Sequence, residues 1–312
     1  MTRAQWTKTA AWGALAAAAL AAPALGMPVV NDWNVRMCSL IMVALSWNLA
    51  LNAGLISLGH SAFWGLGGYA ALLAANRLGT SLPLSLLIAA AVGSLAGMGL
   101  AALTGNLRGI FFAISTLAFS EILRVVGLMT PDLTGGAEGL YLDPKVRLAP
   151  ALVTEAVALS AVASVAVCYA LSRMRFNFAC RAMRNNEDVS KMFGINPVAY
   201  RVKCLAIAGG MASLAGGLNL WHGGFLDPLV AFDLHITILS QIAPILGGIH
   251  TLVGPLVGSV LTVFLSEGTR IWLGASGYSQ FVLGVLLVVS VLAMPTGLAG
   301  LWQKMLSRRS RG

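Results

Sequence analysis

Charge is scarce in this chain. Of its 312 residues only 10% are Asp, Glu, Lys or Arg, against 58% hydrophobic, whereas a soluble domain carries about a quarter charged residues. The mean hydropathy is +0.82. A soluble catalytic domain is therefore excluded. Acids are scarcer than bases, 11 against 20, which leaves a net charge of +9. Such an excess suits nucleic acid when it forms a stripe or patch. Here the bases fall in the gaps between apolar runs, so no nucleic-acid partner is expected. Cysteine is limited to Cys38, Cys168, Cys180 and Cys204, without CxxC pairing or a nearby His at ligand spacing, and these read as apolar fillers and reduced thiols. The motifs GxxxxGK[ST] and HExxH are missing, as is a GxSxG followed by acid and base. Phosphate-loop, zinc-protease and serine-hydrolase chemistry are thereby excluded. No catalytic residue, metal site or cofactor is expected.

What the sequence does contain is continuous apolar runs, ten of them, at roughly 10–30, 35–53, 61–76, 84–104, 110–129, 149–171, 203–221, 235–247, 252–268 and 280–298. About 20 apolar residues cross the hydrocarbon core as helix, whereas membrane strands alternate over about ten. The reading is an all-α, polytopic membrane helical bundle, a single domain over residues 1–312. The eighth run is too short to span alone and reads as a half-helix or a tilted, broken span. The first run follows Arg3 and Lys8 and ends in Ala22-Pro23-Ala24, which fits either a cleaved leader or a retained span. With the N-terminus inside, the inner gaps hold fourteen Lys and Arg and the outer gaps five. Both termini are therefore expected in the cytoplasm. Trp33, Trp221 and Trp272 fall near outer span ends, as an aromatic belt would place them. Gly93 and Gly97, and Gly254 and Gly258, form GxxxG pairs that let helices pack closely in lipid.

Several segments could carry function. Two Gly-rich interruptions break the apolar runs, one from Gly54 to Gly68 and one from Gly247 to Pro255. Broken helices at membrane depth are tolerated beside a cavity or other protein, and half-helix ends are ready sites for charged groups. The expected substrate pathway therefore includes Ser57, Gly59, His60, Ser61, Gly247, Gly248 and His250. Each histidine also admits a purely structural, hydrogen-bonded reading. Glu121 reads as the one clear mid-span acid and joins this set. Arg124 can pair with it at i, i+3, either structurally or in transport.

The outer stretch 130–148 contains the turn Thr134-Gly135-Gly136. The inner stretch 172–202 contains Asn186, Glu187, Asp188, Val189, Ser190, Lys191, Met192, Phe193 and Gly194. A short helix ended by Gly194 would put Val189 and Phe193 on one face, ready to dock into a groove on a partner. A solvated loop is the plainer reading.

Taken in order and spacing, Ser46-Trp-Asn-Leu-Ala-Leu51, Ser57-Leu-Gly-His-Ser-Ala-Phe63, the run from Arg108 to Arg124, Thr134-Gly-Gly-Ala-Glu-Gly139 and the run from Leu246 to Pro255 carry a resemblance. The chain resembles the permease subunits of ABC importers for branched-chain amino acids, of the LivM type, from about Ser46 to Pro295. The resemblance implies a multi-pass subunit of the bacterial inner (plasma) membrane without its own ATP site. Its implied partners are a second, LivH-like permease, two cytoplasmic ABC ATPases and a periplasmic solute-binding protein. Residues 186–194 then correspond to the loop that couples to the ATPases, with Gly194 at its glycine. Asp188-Val189-Ser190 stands where that loop carries Glu-Ala-Ala, and Asn52 stands where a Gly is expected. Related systems carry urea, amides or other small solutes. An ion-coupled secondary transporter is the competing reading.

Overall fold

The computed structural model describes residues 28–273 and scattered positions between 278 and 289. Most of the first and last apolar runs, and both termini, lie outside the described residues. The other eight runs each coincide with a helix: α1 Pro28–Asn52, α2 His60–Leu78, α3 Leu82–Thr104, α4 Ile110–Met129, α5 Pro150–Arg173, α8 Pro197–Gly223, α9 Leu234–Gly247 and α10 Val253–Leu273. Among the described residues, six helical stretches are long and apolar enough to cross a membrane: α1, α3, α4, α5, α8 and Pro228–Gly247. Helix α2 is less apolar, with His60 at its start and Arg77 in its last turn, and thirteen of its 19 residues are buried.

Helix α8 is the axis of the bundle. Its spanning window is 78% buried, against 28% for α4 at the periphery. Small residues allow this. A Cβ at Gly93 or Gly97 of α3 would run into Ser213 or Leu205 of α8, so the two backbones touch along that pair. Gly258 of α10 lies in the same way on Ala243 of α9.

The structure adds three details to these expectations. The stretch 172–202 holds the expected short helix before Gly194, α7 Glu187–Met192, and a helix that was not expected, α6 Arg175–Asn185, before α8 begins. Helix α6 buries Ala179, Cys180 and Met183 and exposes Phe178. Its many charges hid an amphipathic pattern too short to read. The all-α bundle is as expected, and one short ladder joins two of its connections. Strand β1 (Leu140–Tyr141) pairs antiparallel with β2 (Phe225–Leu226), Leu140 opposite Leu226 and Tyr141 opposite Phe225, and two residues are too few for alternation to signal. Trp221, placed in an interfacial belt by its position, is 2% exposed and donates its indole N–H to Ser85 Oγ at 3.0 Å. All four cysteines are free and buried.

The bundle has two chemically distinct ends. At one, the 130–148 stretch packs over the end of α8, with Leu142 N donating to Gly224 O at 2.9 Å. At the other lie α6 and α7 with their basic residues.

Candidate functional site

Helix α1 ends at Asn52, and the chain turns back at Gly54, whose φ of 78° suits glycine. It re-enters the bundle so far that Ser57 O accepts a hydrogen bond from Trp47 Nε1 at 2.9 Å. Helix α2 therefore starts inside the bundle, where its first backbone donors lack water. Hydroxyls from two other helices replace it. Leu58 N donates to Thr116 Oγ1 of α4 and Ser61 N to Thr237 Oγ1 of α9, both at 2.9 Å. Ser61 Oγ also lies 2.7 Å from Ser120 Oγ, and His60 Nδ1 lies 3.2 Å from Ser57 Oγ. Gly59 is required here because a Cβ would strike the Thr116 carbonyl. Ser57, His60 and Ser61 have no exposed surface.

The second interruption is fastened to the same helix. His250 N donates to Asn48 Oδ1 at 3.0 Å, and Asn48 Nδ2 donates to Thr251 O at 2.9 Å. His250 Nδ1 lies 3.1 Å from Asn52 Oδ1, which also accepts from Arg184 Nη1 at 3.3 Å. His250 has a positive φ of 63°, a costly conformation that these bonds hold in place. Desolvation, then the charges of Arg184 and Arg181, lower its imidazole pKa to about 4. Gly247 faces the backbone of Gly254 with no room for a Cβ, and Gly248 has φ 122°. A small cavity of about 70 Å³ sits under this turn, bordered by Asn52, Cys168, Cys180 and His250.

Glu121 pairs with Arg124 on α4, but the pair is not enclosed, for the Glu121 side chain is 56% exposed. A second acid, near the end of its own run, is the more deeply buried of the two. Glu267 of α10 is only 4% exposed and pairs with Arg36 Nη1 at 3.0 Å. Arg36 Nε also meets Asp32 at 2.9 Å, and Asp32 lies 3.1 Å from His222 Nε2. A cavity of about 380 Å³ opens beside this chain of charges, between α1, α8, α9 and α10.

In the 130–148 stretch, Thr134 Oγ1 donates to Thr130 O at 2.8 Å and accepts from Gly136 N at 3.2 Å. Gly135 and Gly136 adopt φ of 74° and 57°, which only this Gly-Gly pair does without strain. The turn leads directly into β1.

At the opposite end, the Asn186 side chain caps α7, accepting from Asp188 N and Val189 N at 3.1 Å each. Glu187 is the anchor. Its carboxylate meets Arg201 Nη2 at 2.7 Å, Arg108 Nε at 3.0 Å and Lys191 Nζ at 3.3 Å. Arg201 also donates to the Gly105 carbonyl, which ties α7 to α8 and to the end of α3. Asp188 is pulled below the usual carboxylate range by Lys191 and Arg108. Ser190 faces inward, while Val189, Met192 and Phe193 point out. Gly194 follows with φ 79°, as a residue just past a helix end should.

Sequence reasoning missed Asn48, Asn52, Thr116, Thr237, Arg36 and Glu267. A signal existed, since polar residues inside apolar runs are costly unless paired. Asn48 and Asn52 stand four apart and so share a face.

The comparisons with known proteins agree with this architecture. Residues 29–291 match the family described as branched-chain amino acid transport system, permease component. The chain is 27% identical to a high-affinity branched-chain amino acid transport system permease protein LivM of Salmonella typhimurium, over 90% of this chain and 73% of that protein. It is 25% identical to the ribose import permease protein RbsC of Escherichia coli, over 63% of this chain and 66% of that one. Similarity to the Escherichia coli permease protein LivH, 28% identical, covers 40% of each chain. No solved structure matches. With most of its length inside the matched region, this chain belongs to the family of permease components of branched-chain amino acid transport systems.

Proposed function

We propose that this chain forms the translocation path of an ABC importer for branched-chain amino acids, with α7 as the point where ATPase motion enters. The observation that carries this reading is the construction of α7. Val189, Met192 and Phe193 are 45%, 87% and 82% exposed, on a helix whose base Glu187 fastens to the bundle. An apolar knob on a rigid base is what an interface anchor needs, because little freedom is lost on docking. Residues 186–194 are then the cytoplasmic coupling segment for the two ATPases. The 130–148 stretch, with Thr134, Gly135 and Gly136, faces the solute-binding protein. The apolar runs support ten hydrophobic segments in the bacterial inner membrane, broken half-helices included, and the Lys and Arg asymmetry supports both termini in the cytoplasm.

The second permease covers α4. That helix exposes Phe111, Ile114, Ile122 and Val126 together with the Glu121–Arg124 pair. Lipid against such a pair would cost several kcal/mol, whereas a partner or a wet path would not. A path past Ser57, Gly59, His60 and Ser61, and past Gly247, Gly248 and His250, requires α2 and α9 to part, which breaks the contact of Ser61 with Thr237.

The test is reconstitution with the ATPases, the second permease and the binding protein, measuring uptake of labelled leucine, ribose, urea and a simple amide. ATP-dependent leucine uptake that needs every component is expected. Uptake by this chain alone, or of the other solutes to the exclusion of leucine, overturns the reading.

A further inference from the structure

Charge is divided unevenly at the α7 end. From Arg173 to Lys203 the chain carries seven Lys and Arg but only two acids, Glu187 and Asp188. Both acids are taken by Arg108, Lys191 and Arg201, so α7 stands on a neutralised base. Arg175, Arg181 and Arg184 of α6 form no ion pair among the described residues. Arg181 and Arg184 are three apart, where helix side chains are neighbours and like charges repel. Arg184 donates only to the uncharged Asn52 Oδ1, at 3.3 Å. Burial, and then the charge of Arg181, lowers its pKa. An anion is what this pair lacks.

The preceding span sets the depth of α6. Helix α5 has 24 residues, about 36 Å at 1.5 Å each, enough for a hydrocarbon core of about 30 Å. Its last turn carries a pair suited to the headgroup level. Arg173 Nη2 donates to Tyr169 OH at 2.8 Å, with the guanidinium 5.1 Å from the ring centre. Phe178 follows five residues later, about 8 Å along the helix, and a headgroup layer is about 5–8 Å thick. One stripe of α6 faces outward there. Met174, Phe178, Arg181 and Asn185 recur at i, i+4, i+7 and i+11 and all are exposed, Phe178 by 76%. Ala179, Cys180 and Met183 on the opposite side are buried. Apolar side chains beside unpaired arginines suit a helix lying in a membrane surface. The α7 knob differs, being apolar on a base whose charges cancel.

We infer that α6 is an interfacial helix that binds an anionic phospholipid, the headgroup phosphate on Arg181 and Arg184, with Met174 and Phe178 set into the acyl boundary. The inference rests on the importer reading, which puts this end at the cytoplasmic leaflet, and adds a lipid to its partners. Asn52 alone then stands between the lipid-bound Arg184 and the turn at His250, since its Oδ1 meets both side chains.

A fluorophore at Phe178 reads which lipid lies there. The full chain carrying Phe178→Cys is labelled with an apolar dye at that thiol, the four native thiols being buried. It is placed in nanodiscs of phosphatidylcholine and phosphatidylglycerol, with one or the other lipid brominated, and quenching gives the relative association constant of the two. Phosphatidylglycerol should be favoured. A dye at Leu78→Cys, 72% exposed at the far end of α2, should show no such preference. Arg181→Gln should lower the ratio about fivefold, the worth of one base near an anionic surface, and adding Arg184→Gln should lower it further. Arg181→Lys should keep it. If a glutamine variant does not fold, the two lipids compared at Phe178 and at Leu78 decide alone. Equal association of both lipids at Phe178 overturns the site, as does an undiminished ratio in the folded glutamine variants. A preference abolished by inorganic phosphate, but not by chloride at equal ionic strength, overturns the lipid as its occupant. A dye that no lipid quenches, and that added ATPases shield from an aqueous quencher, makes α6 a protein dock and also overturns it. None of these outcomes depends on uptake, so the importer reading stands or falls separately, on leucine transport with every partner present.

Discussion

Glu187 is the residue whose loss should matter most at the α7 end. Glu187→Gln keeps the shape but removes the charge that Arg201 faces at 2.7 Å. Both side chains are nearly buried, 8% exposed for Arg201 and 11% for Glu187. Removing one partner of such a pair costs about 3–5 kcal/mol, because the other charge is left uncompensated. Two features pull the figure to the lower end. Glutamine still offers an acceptor oxygen, and Arg201 keeps the Gly105 carbonyl. The pairs with Arg108 and Lys191 involve half-exposed cations, which add under about 1 kcal/mol each. A loss near 3 kcal/mol should lower the melting midpoint by about 6–10 °C, measured on the purified protein in detergent. Adding Arg201→Met removes the stranded charge and should recover most of the loss. A single variant that melts within about 2 °C of wild type refutes the anchor, and so does a double variant no better than the single. Because α7 would come loose from α8 without unfolding the bundle, coupled ATP hydrolysis should fall further than stability does.

Four other outcomes follow from the geometry. Gly194→Val forces a β-branched residue into φ 79° and should uncouple ATP hydrolysis from uptake while the protein still inserts; full coupling in the variant would show that docking lies elsewhere. A Met192→Cys variant, at a position 87% exposed, should resist an impermeant thiol reagent on intact cells and react in inverted vesicles, and the reverse pattern would invert the topology. His250 is held near about 4 against an ordinary 6.5, so its neutral form supports the fold above pH 6.5 and that support is lost as the pH falls toward 4; His250→Gln should flatten this part of the melting-versus-pH curve. Gly59→Leu, against the Thr116 carbonyl, should abolish folded protein where Gly79→Ala, with open space around it, yields protein that still melts cooperatively.

The helices were legible because lipid imposes one demand on all of them, about 20 apolar residues each, and α4 falls where its run was drawn, Ile110–Met129. Legibility failed where protein replaces lipid. Helix α6 is charge-rich, so hydropathy passes over it. Glu267 was overlooked because it sits near the end of its run, and nothing in sequence shows that Arg36, 231 positions away, meets it. The glycine breaks were visible as breaks. Their supports were not, since Thr116 and Thr237 read as ordinary residues of apolar segments until the fold sets them against the start of α2. The short α7 was readable from its cap and its glycine, both local signals, while its anchor at Arg201 was not.

Trp47, Asn48 and Asn52 occupy less than two turns of α1, yet together they reach both broken segments. Sliding α1 along its axis by a single residue, about 1.5 Å, would snap these bonds simultaneously, and rotating it would do the same. Helix α1, the buried start of α2 and the 248–252 turn are thus geared into one block that can tilt or translate only as a unit. Under the proposed coupling role of α7, motion entering there would be absorbed at the seams around that block. One such seam is Gly109, which has φ 55° and nothing near the place where a Cβ would sit, as α4 begins. A crosslink across it would arrest the machine, whereas one within the block would pass unnoticed.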